Sequence, residues 1–334
     1  MRILVTGGAG FIGSNLVEYH LDRGDEVLAI DDLSTGSIEN VELFRGNDRY
    51  RFEQTDLVAW NGLRDAVAWS DRVYNLAAVV GMFRVLDHPV EVNRVNILGC
   101  ERILREASRS PNRPQVVIAS SSSVYGPSAQ GELREDSNLI VSPSNPLILY
   151  ALSKLTNELY ARTYAKKHHV PVVSARLFNT AGRRQRGMYG FVIPRFIRQA
   201  LADEPITVFG DGSQTRSFCD VRDTIAILDA LAGTPAAYGQ VVNVGNDAEI
   251  TILKLAELVR ARARSSSEIR YVPFAEAYGQ DFDQIPQRRP VLDRLRGLID
   301  YRHRWTLQDT VDDLIVHGVP EIRPEPRHAS KERE

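Results

Sequence analysis

The stretch TGGAGFIG constrains this 334-residue chain more than any other; it follows the apolar run RILV and opens a helical pattern. A strand that turns through Gly7, Gly10 and Gly13 into a helix is the opening of a nucleotide-binding βαβ unit. Gly7 permits the tight turn, Gly10 lets the backbone approach a pyrophosphate, and Gly13 lets helix and strand pack closely. Phe11 and Ile12 stand between the last two glycines, in a first helical turn whose free N–H groups and dipole favour phosphate. The second apolar run ends at Asp31-Asp32, with Asp31 eighteen residues after Gly13. A carboxylate there accepts hydrogen bonds from the adenosine ribose and repels a 2′-phosphate, so NAD is expected rather than NADP.

The rest of the first half repeats the strand–helix unit. Strands are expected over 2–6, 26–30, 50–54, 72–76, 115–119 and 170–175, with helices near 12–23, 61–68, 89–108 and 146–168. Continuous apolar strands alternating with helices indicate a parallel sheet covered on both faces. The pattern loosens after 176, with helices expected at 192–202, 221–232 and 251–263, a strand and turn over 209–218 and a returning strand at 241–246. The expected fold class is α/β: a Rossmann-type, doubly wound parallel sheet with a smaller, interleaved C-terminal substrate lobe. Residues 1–176 form mainly the dinucleotide domain, 177–317 mainly the substrate lobe with returning core elements, and the charged, proline-rich 318–334 a solvated tail.

Composition sets limits on partners. Forty-one basic against 43 acidic residues give a net charge of −2, so nucleic acid is not an expected partner. Cys100 and Cys219 lie far apart and the seven histidines show no HxxxH spacing, so no metal site is expected. The chain opens directly on a strand and has no apolar run of about 18 residues; a cytoplasmic protein away from membranes is expected.

Three further stretches carry chemistry. Asp56-Leu57 after the third strand can reach the adenine edge and pack its face, though Asp56 can equally cap the next turn. NLAA places Ala77 where a small side chain lets cofactor approach the fourth strand. VIASSSSVYG puts Ser121, Ser122 and Ser123 at the carboxyl end of the fifth strand, the edge where ligands of open α/β sheets bind. Tyr150 and Lys154, four residues apart, share a helix face. An ammonium there lowers the cost of a phenolate, which makes Tyr150 a candidate general base.

These features, together with ILVTGGAGFIG, DDLSTG, VNRVNILGCERIL, YALSKLTNE, RLFNTAGRRQ, VFGDGSQTRSF, VVNVGN and RRPVLDRL, resemble the extended short-chain dehydrogenase/reductase family, in particular its NAD-dependent nucleotide-sugar epimerases and dehydratases. The resemblance spans about residues 1–317. It implies Ser121 as the catalytic hydroxyl, Tyr150 as base, Lys154 as its ribose-bound helper and Asn96 as a support. It further implies a UDP-sugar substrate, with Asn179 near the diphosphate or sugar and Arg216 and Arg288 on the diphosphate. The helices near 89–108 and 146–168 resemble the pair through which such proteins form homodimers.

The departures narrow the reaction. Sugar 4,6-dehydratases of this kind carry Asp-Glu before VYG, and UDP-glucuronate decarboxylases carry Glu immediately before it; this chain has Ser122 and Ser123. Elimination needs an acid and a base beyond the tyrosine. The expected reaction is therefore inversion at C4 of a UDP-hexose or UDP-hexuronate through a transient 4-ketone, the chemistry of a UDP-sugar 4-epimerase. The alternatives are a UDP-glucuronate decarboxylase, whose C4 ketone itself promotes loss of the C6 carboxylate, and a net NAD-dependent nucleotide-sugar dehydrogenase or reductase. GRRQ resembles some UDP-N-acetylhexosamine 4-epimerases, whereas Arg186 lies where some UDP-glucuronate 4-epimerases hold an arginine for the sugar carboxylate.

Overall fold

The computed structural model describes residues 1–80, 89–126, 131–139, 148–186, 191–274, 276 and 287–320. Seven strands form the central sheet: β1 (Arg2–Thr6), β2 (Glu26–Asp31), β3 (Tyr50–Gln54), β4 (Arg72–Asn75), β5 (Gln115–Ser121), β6 (Val172–Leu177) and β7 (Val241–Val244). Their order is β7-β6-β5-β4-β1-β2-β3, and every neighbouring pair is parallel. Successive strands are added on one side of β1 up to β3 and on the other from β4 onward. That reversal opens a crevice at the carboxyl edge between β1 and β4.

The helices of the first half are α1 (Phe11–Asp22), α2 (Ile38–Glu42), α3 (Leu63–Trp69), α4 (Pro89–Asn93), α5 (Gly99–Arg109) and α6 (Ile148–His168). In β1, Ile3 and Val5 pack with Leu16, Val17 and Leu21 of α1, whereas Leu4 points the other way, into a core with Leu63, Val67, Ile103 and Leu104. The period-2 alternation of a strand thus feeds two apolar layers, which is why the strand sequences are hydrophobic throughout.

After β6 the chain leaves the sheet. Helices α7 (Val192–Leu201), α9 (Ile252–Arg262) and α11 (Leu307–His317) close a separate core around Phe196, Ile197, Leu255, Val259, Val311 and Leu314. Between α7 and α9, α8 (Val221–Ala232) and β7 return to the sheet, and α10 (Asp293–Leu298) does so later through Leu295. The lobe is therefore interleaved with the sheet domain. Short parallel strand pairs, Ile206–Phe209 with Ile269–Val272 and Thr180–Ala181 with Cys219–Asp220, stiffen it.

The helix expected over 89–108 is interrupted by a π turn at Arg94–Leu98. Asn96 in that turn is buried, binds both backbone groups of Val79 and donates to Ser153 Oγ at 3.1 Å, while its carbonyl accepts from Asn157 Nδ2 at 3.0 Å. These bonds draw the backbone toward the crevice, and a π turn accommodates the displacement. Residues 146–147 of the expected long helix and 321–334 of the expected tail lie outside the described residues. Both cysteines are buried free thiols. Among the described residues, no group of three His, Cys, Asp or Glu side chains converges as a metal site, and no helix is long and apolar enough to cross a membrane.

Candidate active site

The carboxyl edge of the sheet lines a cavity of about 420 Å³. β5 ends at Ser121, whose side chain caps a 3-10 turn, Ser122–Tyr125, by accepting from Ser123 N at 3.2 Å; Ser123 Oγ donates to Ser121 Oγ at 2.9 Å. Tyr150, in the first turn of α6, packs against Val79, Val92 and Val95 and hydrogen-bonds Ser121. One helical turn on, Lys154 is 4% exposed and donates from Nζ to the Ala119 carbonyl at 2.8 Å. Its ammonium lies 5.7 Å from the Tyr150 ring centroid. Ser121, Tyr150 and Lys154 are thus brought together from two elements.

Their electrostatics differ from the sequence expectation. Burial pushes Tyr150 up to about 12, and the group that opposes this is Ser121 rather than Lys154. Burial also pulls Lys154 down to about 8, with Cys100 the opposing influence. One of the three ammonium hydrogens of Lys154 is committed to the Ala119 carbonyl of β5, which steadies the serine edge.

A Cβ on Gly7, whose φ is 73°, would sit 2.8 Å from Ala77 N, and a Cβ on Gly13 would overlap the Gly7 carbonyl oxygen. The glycines therefore keep β1, β4 and the start of α1 in contact, and leave a concave backbone at the α1 N-terminus with Gly10, Phe11 and Ile12 in its wall. Ala77 donates its N–H to Thr6 Oγ1 at 3.2 Å beside it. Asp31 accepts from Ala9 N at 3.0 Å and Leu33 N at 2.8 Å, and burial raises its pKa above the usual carboxylate value. Asp32 accepts from Ser34 N at 2.8 Å. Asp56 does cap the following turn, through Val58 N at 2.7 Å, and also pairs with Arg94 at 2.8 Å; Leu57 beside it is buried. All of these except Thr6, Leu33, Val58 and Arg94 line the cavity. A glycine cradle followed by a buried carboxylate at the end of β2 fits a dinucleotide whose pyrophosphate sits at the helix N-terminus and whose ribose reaches Asp31.

At the substrate side, Asn179 donates to the Ser217 carbonyl at 3.0 Å and Arg288 to the Gly126 carbonyl at 3.2 Å. Arg288 Nε is buried without a partner, and burial together with the Arg216 guanidinium lowers Arg288 to about 10. Two cations held together, one with a buried unused donor, form an anion site in waiting. Arg288 lines the cavity; Arg216 stands behind it, on the short strand Thr215–Ser217. Arg186 lines the same cavity on the side of α2. Its guanidinium hydrogen-bonds Ser37 Oγ and pairs with Glu39 at 3.5 Å, beside the turn that carries Asp31.

Sequence reasoning missed what holds the serine edge from behind. Ser120 Oγ donates to Glu158, which takes a two-pronged bond from Arg176 at 2.8 and 2.9 Å; Glu158 and Arg176 are both 4% exposed. Arg176 stacks 4.7 Å over the Tyr125 ring, and Tyr125 OH donates to Asn243 Oδ1 at 2.7 Å. Glu158 follows Lys154 by one helical turn, a spacing that marks it as facing the same strand.

Residues 3–245 match the sequence pattern described as the NAD dependent epimerase/dehydratase family. The chain belongs to that family. NAD is accordingly its cofactor, and nucleotide-sugar chemistry in the epimerase, dehydratase and decarboxylase group is its class of activity. A UDP-N-acetyl-alpha-D-glucosaminuronate decarboxylase of Bacillus cytotoxicus is 34% identical over 319 residues, covering 94% of this chain and 96% of that protein. Among solved structures, a UDP-N-acetylglucosamine 4-epimerase from Methanobrevibacter ruminantium M1 superposes with a TM-score of 0.84 at 27% identity, covering 95% and 97% of the two chains. The UDP-glucuronic acid 4-epimerase of Bacillus cereus, in complex with UDP-glucuronic acid and NAD, gives 0.81 at 28% identity over 95% and 98%.

Proposed function

We propose that this protein is a UDP-sugar 4-epimerase and that its substrate carries a C6 carboxylate, as a UDP-hexuronate does. The observation that carries the reaction is the distribution of acids around the cavity. Among the described residues its carboxyl groups are Asp31, Asp32 and Asp56, all at or just past the ends of β2 and β3. Ser121 ends β5, three strand spacings from β2, roughly 14 Å away. Beside Tyr150 stand the Ser121 hydroxyl and the Lys154 ammonium, but no described carboxyl group that would serve elimination or protonate C5. The uronate preference rests on the names of the relatives, since the Bacillus cytotoxicus and Bacillus cereus proteins both act on uronates.

NAD, when bound in the cavity that Tyr150 lines, would supply a reversible acceptor for the hydride of C4 and a positive charge. Tyr150 takes the C4 hydroxyl proton and later returns it, with Ser121 hydrogen-bonded to the same oxygen. Burial holds Tyr150 near 12, and the Ser121 hydroxyl opposes it; a cationic ring in the same cavity would lower it further. Arg288 and Arg216 hold the diphosphate while the 4-keto sugar presents its other face; Asn179 and Ser122 border the path. Orientation by these fixed groups is the main catalytic contribution.

Decarboxylation is the second reading, and the similar proteins favour it over epimerisation: the Bacillus cytotoxicus relative and several UDP-glucuronic acid decarboxylases at 31–32% identity all carry that activity in name. A 4-keto uronate is a β-keto acid, so loss of carbon dioxide needs only a proton for C5 afterwards, and Ser123 stands where a glutamate would supply it. Incubating the protein and NAD with UDP-glucuronate, UDP-glucose and UDP-N-acetylglucosamine, and following products by NMR, separates the readings. A C4 epimer without carbon dioxide supports epimerisation; a UDP-pentose with stoichiometric carbon dioxide replaces it with decarboxylation. Greater turnover of UDP-glucose than of UDP-glucuronate removes the uronate preference.

The same reading includes a homodimer through the paired helices α5 and α6 and the turn before α5. Leu98, Leu152 and Leu159 are exposed there, with Leu159 at 57%. A sedimentation mass of one chain rejects that part.

A further inference from the structure

The loop that follows Thr180–Ala181 runs its arginines across the cofactor groove. Arg183 anchors it in the C-terminal lobe by forking onto Asp313 at 2.6–2.9 Å, while its carbonyl accepts from Asn15 Nδ2 of α1 at 3.0 Å. Arg184 holds a left-handed backbone (φ 66°), pairs with Glu18 of α1 and lies 5.8 Å from the Phe44 ring centroid. Arg186 reaches Ser37 and Glu39 at the start of α2. The loop therefore crosses from the lobe over α1 to α2, the two elements that flank the dinucleotide cradle.

Arg184, Gln185 and Arg186 share one cavity wall with Gly10, Gly13 and Asp31. Two of their polar atoms, Arg184 Nη1 and Gln185 Oε1, are buried without a partner. A buried donor and acceptor left unpaired are costly in an otherwise satisfied loop, and a left-handed arginine adds strain of the kind that collects at ligand clamps. A dinucleotide offers both partners, phosphate oxygens to the arginine and hydroxyls to the glutamine.

We propose that residues 183–186 are a strap that closes over the phosphate and adenosine half of NAD, with Arg186 as its fastening, so that the cofactor stays bound from one turnover to the next. The proposal rests on NAD as the cofactor and is independent of which sugar is turned over. Release of NAD requires the loop to lift, which breaks the contacts to Glu18, Ser37 and Glu39 together. Each ion pair is partly exposed and contributes little alone; their shared loop makes them act as one. Being solvent-accessible, the pairs are screened by salt.

The test loads the full-length protein with radiolabelled NAD, chases it with excess unlabelled NAD and follows release. Arg186→Ala is expected to release NAD roughly tenfold faster or more. Added sodium chloride should speed release from the parent and have much less effect on the variant. UDP affinity of the NAD-loaded protein, measured by calorimetry, should stay within twofold, a split that general destabilisation would not produce. Unchanged NAD release overturns the strap, and unchanged release with weakened UDP binding returns Arg186 to the substrate side. If Arg186→Ala does not fold, Ser37→Ala combined with Glu39→Gln removes its partners instead. That pair must also speed release, and an unchanged rate there overturns the proposal equally. Failure of the parent to bind labelled NAD would count against the cofactor, a result distinct from failure of the strap.

Discussion

At the amino edge of the sheet, Arg72 binds Asp229 and Gln115, Tyr74 OH donates to Asp229 at 3.0 Å, and His20 bridges Asp25 at 2.7 Å and Tyr74 at 3.1 Å. At the carboxyl edge, Lys154 holds a backbone carbonyl, Tyr150 stands among valines, and Arg288 keeps a buried Nε with no partner beside a second cation. Both edges bury charge, but at the carboxyl edge the paired Arg176 and Glu158 lie behind the strand, while the cations that face the cavity, Lys154 and Arg288, bind backbone carbonyls instead of carboxylates. Pairing stabilises the fold; incomplete pairing leaves donors and a displaced pKa available to a ligand, at a cost in stability. The difference shows which edge is built for structure and which for chemistry.

The largest effect is expected at Tyr150. Tyr150→Phe removes one hydroxyl and one hydrogen bond, so it should fold normally and bind NAD, yet lose about 10²–10⁴-fold in turnover. Turnover close to the parent would move the base elsewhere. Next comes Arg72→Met, which strands Asp229 in a partly buried site and should lower unfolding free energy by about 3 kcal/mol in denaturant titration. NAD affinity should persist under native conditions. A loss well below ~1 kcal/mol would mean that this network is as weak as a surface pair. Arg288→Met is the opposite case. It removes an imperfectly satisfied cation next to Arg216, so stability should hold or rise, while UDP binding falls about 10- to 100-fold, the loss of one charged hydrogen bond or so. Destabilisation by as much as Arg72→Met would erase the distinction between the edges.

Much of this architecture is legible in the chain. Local rules govern the cradle: TGGAGFIG needs glycine where Gly13 meets Gly7, and Asp31 must end β2, so strand, turn and helix are read from neighbours a few residues apart. The same holds for Tyr150 and Lys154 on one helical face. Long-range packing escapes such reading. Nothing near Asn96 announces that Val79 will bend its helix into a π turn, since the partner lies 17 residues away. The Ser120–Glu158–Arg176 chain joins three elements, and Arg186 meets Ser37 across 149 residues. An arginine's charge is visible in sequence, but a side chain that long spans several sites, and only the fold decides which anion it meets.

The smallest expected effect concerns protons, and it asks whether the amino edge resists acid as well as it resists denaturant. His20 is 1% exposed and faces Asp25, Tyr74 and Asp229, with Arg72 and Tyr19 also nearby. Burial lowers its pKa, and the attraction of Asp25 and Asp229 only partly compensates. The unfolded chain therefore takes up this proton before the folded chain does. Stability from a neutral His20 is complete above the ordinary histidine pKa of about 6.5 and is lost as pH falls below it. Lys154 is displaced in the same sense but in another window: lowered from 10.5 to about 8, it makes the fold gain stability as pH rises between those values. Denaturant midpoints of the parent, His20→Gln and Lys154→Met between pH 5.5 and 10 separate the two. His20→Gln should flatten the acid limb and leave the alkaline limb; Lys154→Met should do the reverse. An acid limb equally steep in His20→Gln would place the sensitive group outside the amino-edge cluster and leave its pairing a matter of geometry rather than of protonation.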